Sequence, residues 1–179
     1  MKIVILGNSG SGKTRLAAEI AKIRDIPVVH LDELFWEPGG FDRARPRDAV
    51  LRLVEESRKK SDWIVEGVFG DLAELYMEQA DLLLWLDIGW DVCKERLLAR
   101  GLESRKHMSR EQSEEGLAKL LDWASHYYDR TDPRSFAGHL LLFERFHGKK
   151  MRIGSEEELA AAYAAVKQGY KSGGARSVA

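Results

Sequence analysis

A glycine-rich loop beside the first strand constrains this chain more than any other feature. Lys2-Ile3-Val4-Ile5-Leu6 is a short apolar run of the kind that forms a buried strand. Gly7-Asn8-Ser9-Gly10-Ser11-Gly12-Lys13-Thr14 follows at once and matches G-x-x-x-x-G-K-[ST] at every fixed position. Leu16, Ile20 and Ile23 then recur at helical spacing. Strand, glycine turn and helix form the setting that a phosphate-binding loop needs. The glycines let the backbone curl so that successive N–H groups face a polyphosphate. The helix N-terminus adds its free N–H groups and partial positive charge. Lys13, expected to face solvent in the empty loop, supplies a full charge for the β- and γ-phosphates, and the Thr14 hydroxyl suits Mg²⁺. The loop points to a nucleoside triphosphate as ligand.

At 179 residues the chain fits one domain with a full core. A net charge of −1 gives no global pull toward nucleic acid or an anionic membrane. Cys93 is the single cysteine, which excludes an internal disulfide and a cysteine-based zinc site and leaves it a packing role. The first strand begins at Lys2, so no signal peptide is expected ahead of it. The longest apolar run, Leu82 to Leu86, is too short to span a bilayer, and a cytoplasmic location follows as the expectation.

Further strands are expected at 27–31, ending on Asp32, at 63–66, closed by Gly67, at 82–88 and at 150–153. Residues 33–46 read as loop, and helices are expected from 49 to about 60 and around 72–77. Asp91 is placed as the cap of the next helix, which stops at Gly101. Ser109 with Gln112 and Ser155 with Glu158 form capping boxes for two more helices. Asp132-Pro133 is expected to cap another, running to about His147. The stretch 172–179 is small and polar and is expected to be a disordered tail after one domain over 1–171. Short strands without a polar face, alternating with helices, predict an α/β fold with a parallel sheet covered on both sides. Ligands of such a sheet sit beyond the strands' carboxyl ends. The first site candidates are therefore Gly7–Thr14, Asp32, Glu66-Gly67, Asp87 and Gly154.

This order of pieces resembles the small P-loop kinases of the adenylate and shikimate kinase type. More narrowly, Gly7–Thr14, His30-Leu31-Asp32-Glu33-Leu34-Phe35-Trp36-Glu37-Pro38-Gly39 and Trp63-Ile64-Val65-Glu66-Gly67 are similar to the bacterial topology-modulation (FlaR-like) proteins, an adenylate-kinase-related group. The likeness covers about the first half of the chain and is loose beyond Arg100. It implies a three-layer P-loop NTPase fold with a five-stranded parallel sheet of order 2-3-1-4-5. It also implies a helical lid after strand four, at about 101–131, and an acceptor region after strand two. The chain departs from nucleoside monophosphate kinases where they carry D-G-x-P-R, since Glu66-Gly67-Val68-Phe69-Gly70 has neither the Pro nor the Arg. The T-G-D-x-[LM]-R acceptor signature and the cysteine lid site are also missing, which counts against AMP as acceptor.

Phosphoryl transfer needs charge neutralisation and alignment more than covalent help. Glu66 and Asp87 compete for the Mg²⁺ shell beside Thr14; the position used by the family, on the strand expected beside strand one, favours Glu66. Asp32 reads as a turn former or as the group that takes a proton from the acceptor hydroxyl. Trp36 and Phe41 are loop anchors or a stacking surface. Arg96 and Arg100 share a helix face leading into the lid and suit the charge of a transferring phosphate. Arg105, Lys106, His107 and Arg110 extend that basic stretch, with Arg130 and Arg134 at its far end. Arg43, Arg45 and Arg47 serve an acceptor phosphate or remain surface charge, and Trp123, Tyr127 and Tyr128 read as core. The leading expectation is an ATP- and Mg²⁺-dependent phosphotransferase acting on a small hydroxyl- or phosphate-bearing acceptor. Its rival is a regulatory nucleotide-dependent switch linked to DNA topology.

Overall fold

Every strand of the sheet feeds a helix that recrosses it, so the sheet is parallel throughout, in the order β2-β3-β1-β4-β5. The computed structural model describes residues 1–38, 43–103 and 110–173, with side chains except those of 101–103, 110–113 and 165–173. The strands are β1 (Lys2–Gly7), β2 (Val28–His30), β3 (Trp63–Gly67), β4 (Leu82–Leu86) and β5 (Lys149–Ile153). The helices are α1 (Lys13–Arg24), α2 (Leu31–Phe35), α3 (Arg47–Arg58), α4 (Gly70–Met77), α5 (Trp90–Glu103), α6 (Arg110–Ser125), α7 (Phe136–Arg145) and α8 (Glu156–Gly173), with a 3₁₀ turn at His126–Tyr128.

Alternation along each strand divides the core in two. Ile3, Ile5, Ile64 and Leu84 face α1, Cys93 of α5 and Leu159 of α8. Val4, Leu6, Val65 and Trp85 face α3, α4 and α7 through Val50, Val54, Tyr76 and Leu142. Both faces are apolar because both are covered, which is why the central strands read as unbroken hydrophobic runs. β2 and β5 are the edge strands, and on β5 the exposed Lys149, Lys150 and Arg152 discourage pairing with another chain.

Several boundaries differ from the sequence reading. Strand two stops at His30, and Leu31 opens a short helix, so Asp32 lies in the first turn of α2 rather than at a strand end. The turn is driven by burial: Leu31 is fully buried, and the Trp36 N–H donates to the Asp32 carbonyl to close the helix. Asp91 lies inside α5, and Ser135, not Asp132-Pro133, caps α7 by accepting the Gly138 N–H. Ser155 does accept the Glu158 N–H, while Glu158 reaches back to the Gly154 N–H. The Ser109–Gln112 box, Phe41, the side chain of Arg110, residues 105–107 and the tail beyond Gly173 lie outside the described residues.

One buried polar chain crosses the second half of the core. The Trp85 indole N–H donates to the Tyr127 hydroxyl at 3.1 Å, which donates to His139 Nδ1 at 2.7 Å. His139 Nε2–H then donates to the Val68 carbonyl at 3.0 Å. This arrangement needs neutral His139, and burial pushes the imidazole down from 6.5 to about 4. Between those values the unfolded chain binds the proton and the folded chain does not, so stability falls as pH drops through that window. The shift corresponds to about 3 kcal/mol. Urea unfolding of His139→Gln, which keeps a donor but does not titrate, is expected to show a flatter slope between pH 6.5 and 4 than the parent. An unchanged slope would assign the effect to other groups.

Candidate active site

The loop between β1 and α1 is shaped by its contacts as much as by its glycines. Gly7, Gly10 and Gly12 all have positive φ. A Cβ on Gly7 would lie 2.4 Å from the Leu86 carbonyl oxygen, and one on Gly10 would lie 2.4 Å from that of Cys93. Any side chain at either position would push the loop off β4 or α5. Asn8 is buried; its Oδ1 accepts the Ser9 N–H, and its Nδ2 donates to the Ala124 carbonyl at 2.9 Å. Ser11 Oγ is buried with no hydrogen-bond partner among the described residues.

Lys13 does not face solvent. Only 8% of it is exposed, and its Nζ donates to the Asn8 carbonyl at 2.8 Å. Burial pulls its pKa down, the carboxylates of Glu66 and Asp32 hold it up, and Arg100 lowers it further. The expectation failed because the Lys13 ammonium turns back onto the Asn8 carbonyl, with Glu66 of β3 and Arg100 of α5 close enough to act on its charge, and the loop motif does not carry that tertiary setting.

Glu66 lies at the centre of the site. It is buried, and its Oε1 accepts the Thr14 hydroxyl at 3.0 Å and His30 Nδ1–H at 2.7 Å. Burial works to raise its pKa, but the His30 hydrogen bond, the Lys13 charge and the Thr14 hydroxyl together hold it below the usual glutamate value. Asp87, its competitor on sequence, is already occupied. Arg152 donates to it from Nε and Nη2 at 3.0 and 2.6 Å, and the Tyr128 hydroxyl donates at 3.0 Å.

The arginines separate by partner. Arg96 Nη1 donates to the Ser11 carbonyl at 3.1 Å, and its Nη2 pairs with Glu156 at 2.6 Å, so it braces the loop directly. Arg100, on the same helix, is exposed and near enough to Lys13 to depress it. Arg134 makes a two-pronged contact with Asp71, at 3.1 and 3.0 Å, and packs on Phe35 and Phe69. Arg130 lies over the Trp123 ring and pairs with Asp132. Arg45 pairs with Glu37, while Arg43 and Arg47 are exposed. Asp32 is half-buried, with Oδ1 accepting the Glu33 N–H at 2.9 Å. Trp36 bridges to Ala44 and packs edge-on to Phe35, consistent with an anchor. Tyr127 is core, whereas Tyr128 is exposed. His30 and Glu156 were not singled out from the sequence. His30 carried a signal in its place two residues before Asp32.

No family model matches the chain. A protein of Methanosarcina barkeri named "Putative adenylate kinase" is 26% identical over 137 residues, covering 72% of this chain and 75% of its own length. A cytidylate kinase of Methanosphaerula palustris is 30% identical over 101 residues, and the match spans 49% of this chain and 56% of that protein. Among solved structures, a gluconokinase from Sinorhizobium meliloti 1021 superposes with a TM-score of 0.52 at 17% identity, over 96% of this chain and 94% of its own. The fold is that of the P-loop kinases. Within it, Gly7–Thr14 and Glu66 lie at the carboxyl ends of β1 and β3, where open sheets of this type bind ligands. Among the described residues, no helix is long and apolar enough to cross a membrane.

Proposed function

We propose that this protein is an ATP- and Mg²⁺-dependent phosphotransferase acting on a small hydroxyl- or phosphate-bearing acceptor. The observation that carries this reading is the convergence of Lys13, Thr14 and Glu66 on one glycine loop at the strands' carboxyl ends. The kinase names of both sequence relatives agree with it. We extend the proposal to membership of the topology-modulation group, which the motifs around Gly7–Thr14, Asp32 and Glu66 resemble.

The residues present fit a magnesium nucleotide. Among the described residues, the loop carries a buried hydroxyl without a hydrogen-bond partner, Ser11 Oγ, and its three positive-φ glycines hold the curl with Gly7 and Gly10 pressed against β4 and α5. The Thr14 hydroxyl and Glu66 carboxylate are hard oxygen groups of the kind Mg²⁺ selects. Mg²⁺, when bound, neutralises charge on the phosphates. Thr14 and Glu66 would hold it. The loop N–H groups and Lys13 would bind the β- and γ-phosphates, with the desolvated ammonium giving up the Asn8 carbonyl to do so. Arg96 keeps the loop in shape, and Arg100 lies where it adds positive charge. Asp32 would orient the acceptor hydroxyl and take its proton.

A panel of nucleosides, nucleotides, sugars and hydroxy acids, assayed for stimulated ADP release, tests the reading. At least one acceptor is expected to raise ADP release above basal hydrolysis and to appear phosphorylated by mass spectrometry. A panel without stimulation, alongside intact ATP binding, would count against a kinase.

A further inference from the structure

We propose that His30 is a positioning residue, fixing the Glu66 carboxylate so that Glu66 in turn sets the Thr14 hydroxyl. The inference rests on the phosphotransferase reading and extends it to a residue with no role there.

The parallel pairing of β2 with β3 puts His30 opposite Glu66, so the two side chains leave the sheet on the same face. Chain direction then changes at once. Leu31 is fully buried and starts α2, which ties the backbone on the far side of His30. The imidazole is thereby held where Nδ1 meets Glu66 Oε1 at 2.7 Å. An ionised carboxylate only accepts, so Nδ1 is the protonated nitrogen.

The same oxygen also accepts the Thr14 hydroxyl at 3.0 Å. This second bond gives the first its consequence. A threonine hydroxyl offers lone pairs to a cation when its own proton is directed elsewhere, and here Glu66 receives that proton. The order is His30 to Glu66 to Thr14, each group setting the next. Partners of this kind, one step removed from the ligating atoms, are typically worth about 10–100-fold in metal affinity. A purely structural account would have His30 merely satisfy a buried carboxylate. That role predicts lower stability with no selective effect on the cation.

Calorimetry with ATP, in EDTA and in Mg²⁺, separates the two accounts for the intact chain, His30→Asn and His30→Leu. In asparagine the Nδ2 donor stands close to the lost Nδ1, so His30→Asn is expected to keep the parental response to Mg²⁺. His30→Leu is expected to retain its affinity in EDTA within about twofold while losing about 10–100-fold in the affinity gained on adding Mg²⁺. The free Mg²⁺ needed for half-maximal turnover is expected to rise in parallel. If His30→Leu does not fold, His30→Gln, which displaces the donor by one atom, carries the same comparison. An unchanged Mg²⁺ response in the leucine variant would overturn the role of His30, as would equal losses in both buffers together with a lower Tm. Failure of the parent to bind ATP in either buffer would instead overturn the phosphotransferase reading.

Discussion

Lys13→Ala is expected to lower turnover by about 10²–10³-fold or more while leaving the protein folded. Among the described residues the ammonium donates only to the Asn8 carbonyl, which keeps the Ser11 N–H at 3.2 Å when Lys13 is removed. No buried acceptor is then orphaned, and the substitution vacates the space of one buried side-chain stem. What is lost is a full positive charge in a dry site, where charge on a transferring phosphate is worth far more than in water. Initial rates of ATP consumption, with a thermal melt on the same sample, provide the check. Turnover equal to the parent's at an unchanged Tm would remove Lys13 from the chemistry.

Asp32→Asn is expected to leave ATP affinity nearly intact and to cost acceptor-stimulated turnover about 10²–10⁴-fold. The asparagine oxygen can still accept the Glu33 N–H, so the first turn of α2 should hold. An amide cannot take the proton of an attacking hydroxyl. ADP release measured with and without acceptor separates the two classes of protein considered from the sequence. In a regulatory NTPase the substitution would leave basal hydrolysis untouched and no acceptor would stimulate it. That pattern, joined by nucleotide-dependent binding to DNA, would replace the kinase reading.

The fold was legible wherever the signal was local. The glycine loop, the apolar strands and the helical spacing after Lys13 each involve residues within one or two turns of each other. Glu66 against Asp87 was a different problem. Both end apolar strands, and what distinguishes them is that Arg152 and Tyr128 arrive from later elements to occupy Asp87, while Thr14 and His30 reach Glu66. Neither encounter leaves a trace in spacing. α2 was missed because a single turn has too few positions to show a period, and the Trp36 that follows it reads as a loop anchor. The α7 cap was misplaced because Asp132-Pro133 is a strong helix-start signal, whereas Ser135 prevailed through its bond to Gly138. The buried run from Trp85 to Val68 was invisible for the same reason as the Glu66 site: its members lie on separate elements.

The bond from Asn8 to the Ala124 carbonyl has a mechanical meaning. It joins the phosphate loop to the last turn of α6, and Tyr127 just beyond is anchored to Trp85. Both attachments fall within 101–131, the stretch the sequence resemblance assigns to a lid. Ala124 is held to the loop and Tyr127 to β4, so the chain-end part of that region is tied to the sheet. Because Asn8 belongs to the loop, strain placed there by a phosphate would reach α6 through its side-chain amide. A load on the loop and a displacement of the end of α6 are thereby coupled through a single hydrogen bond.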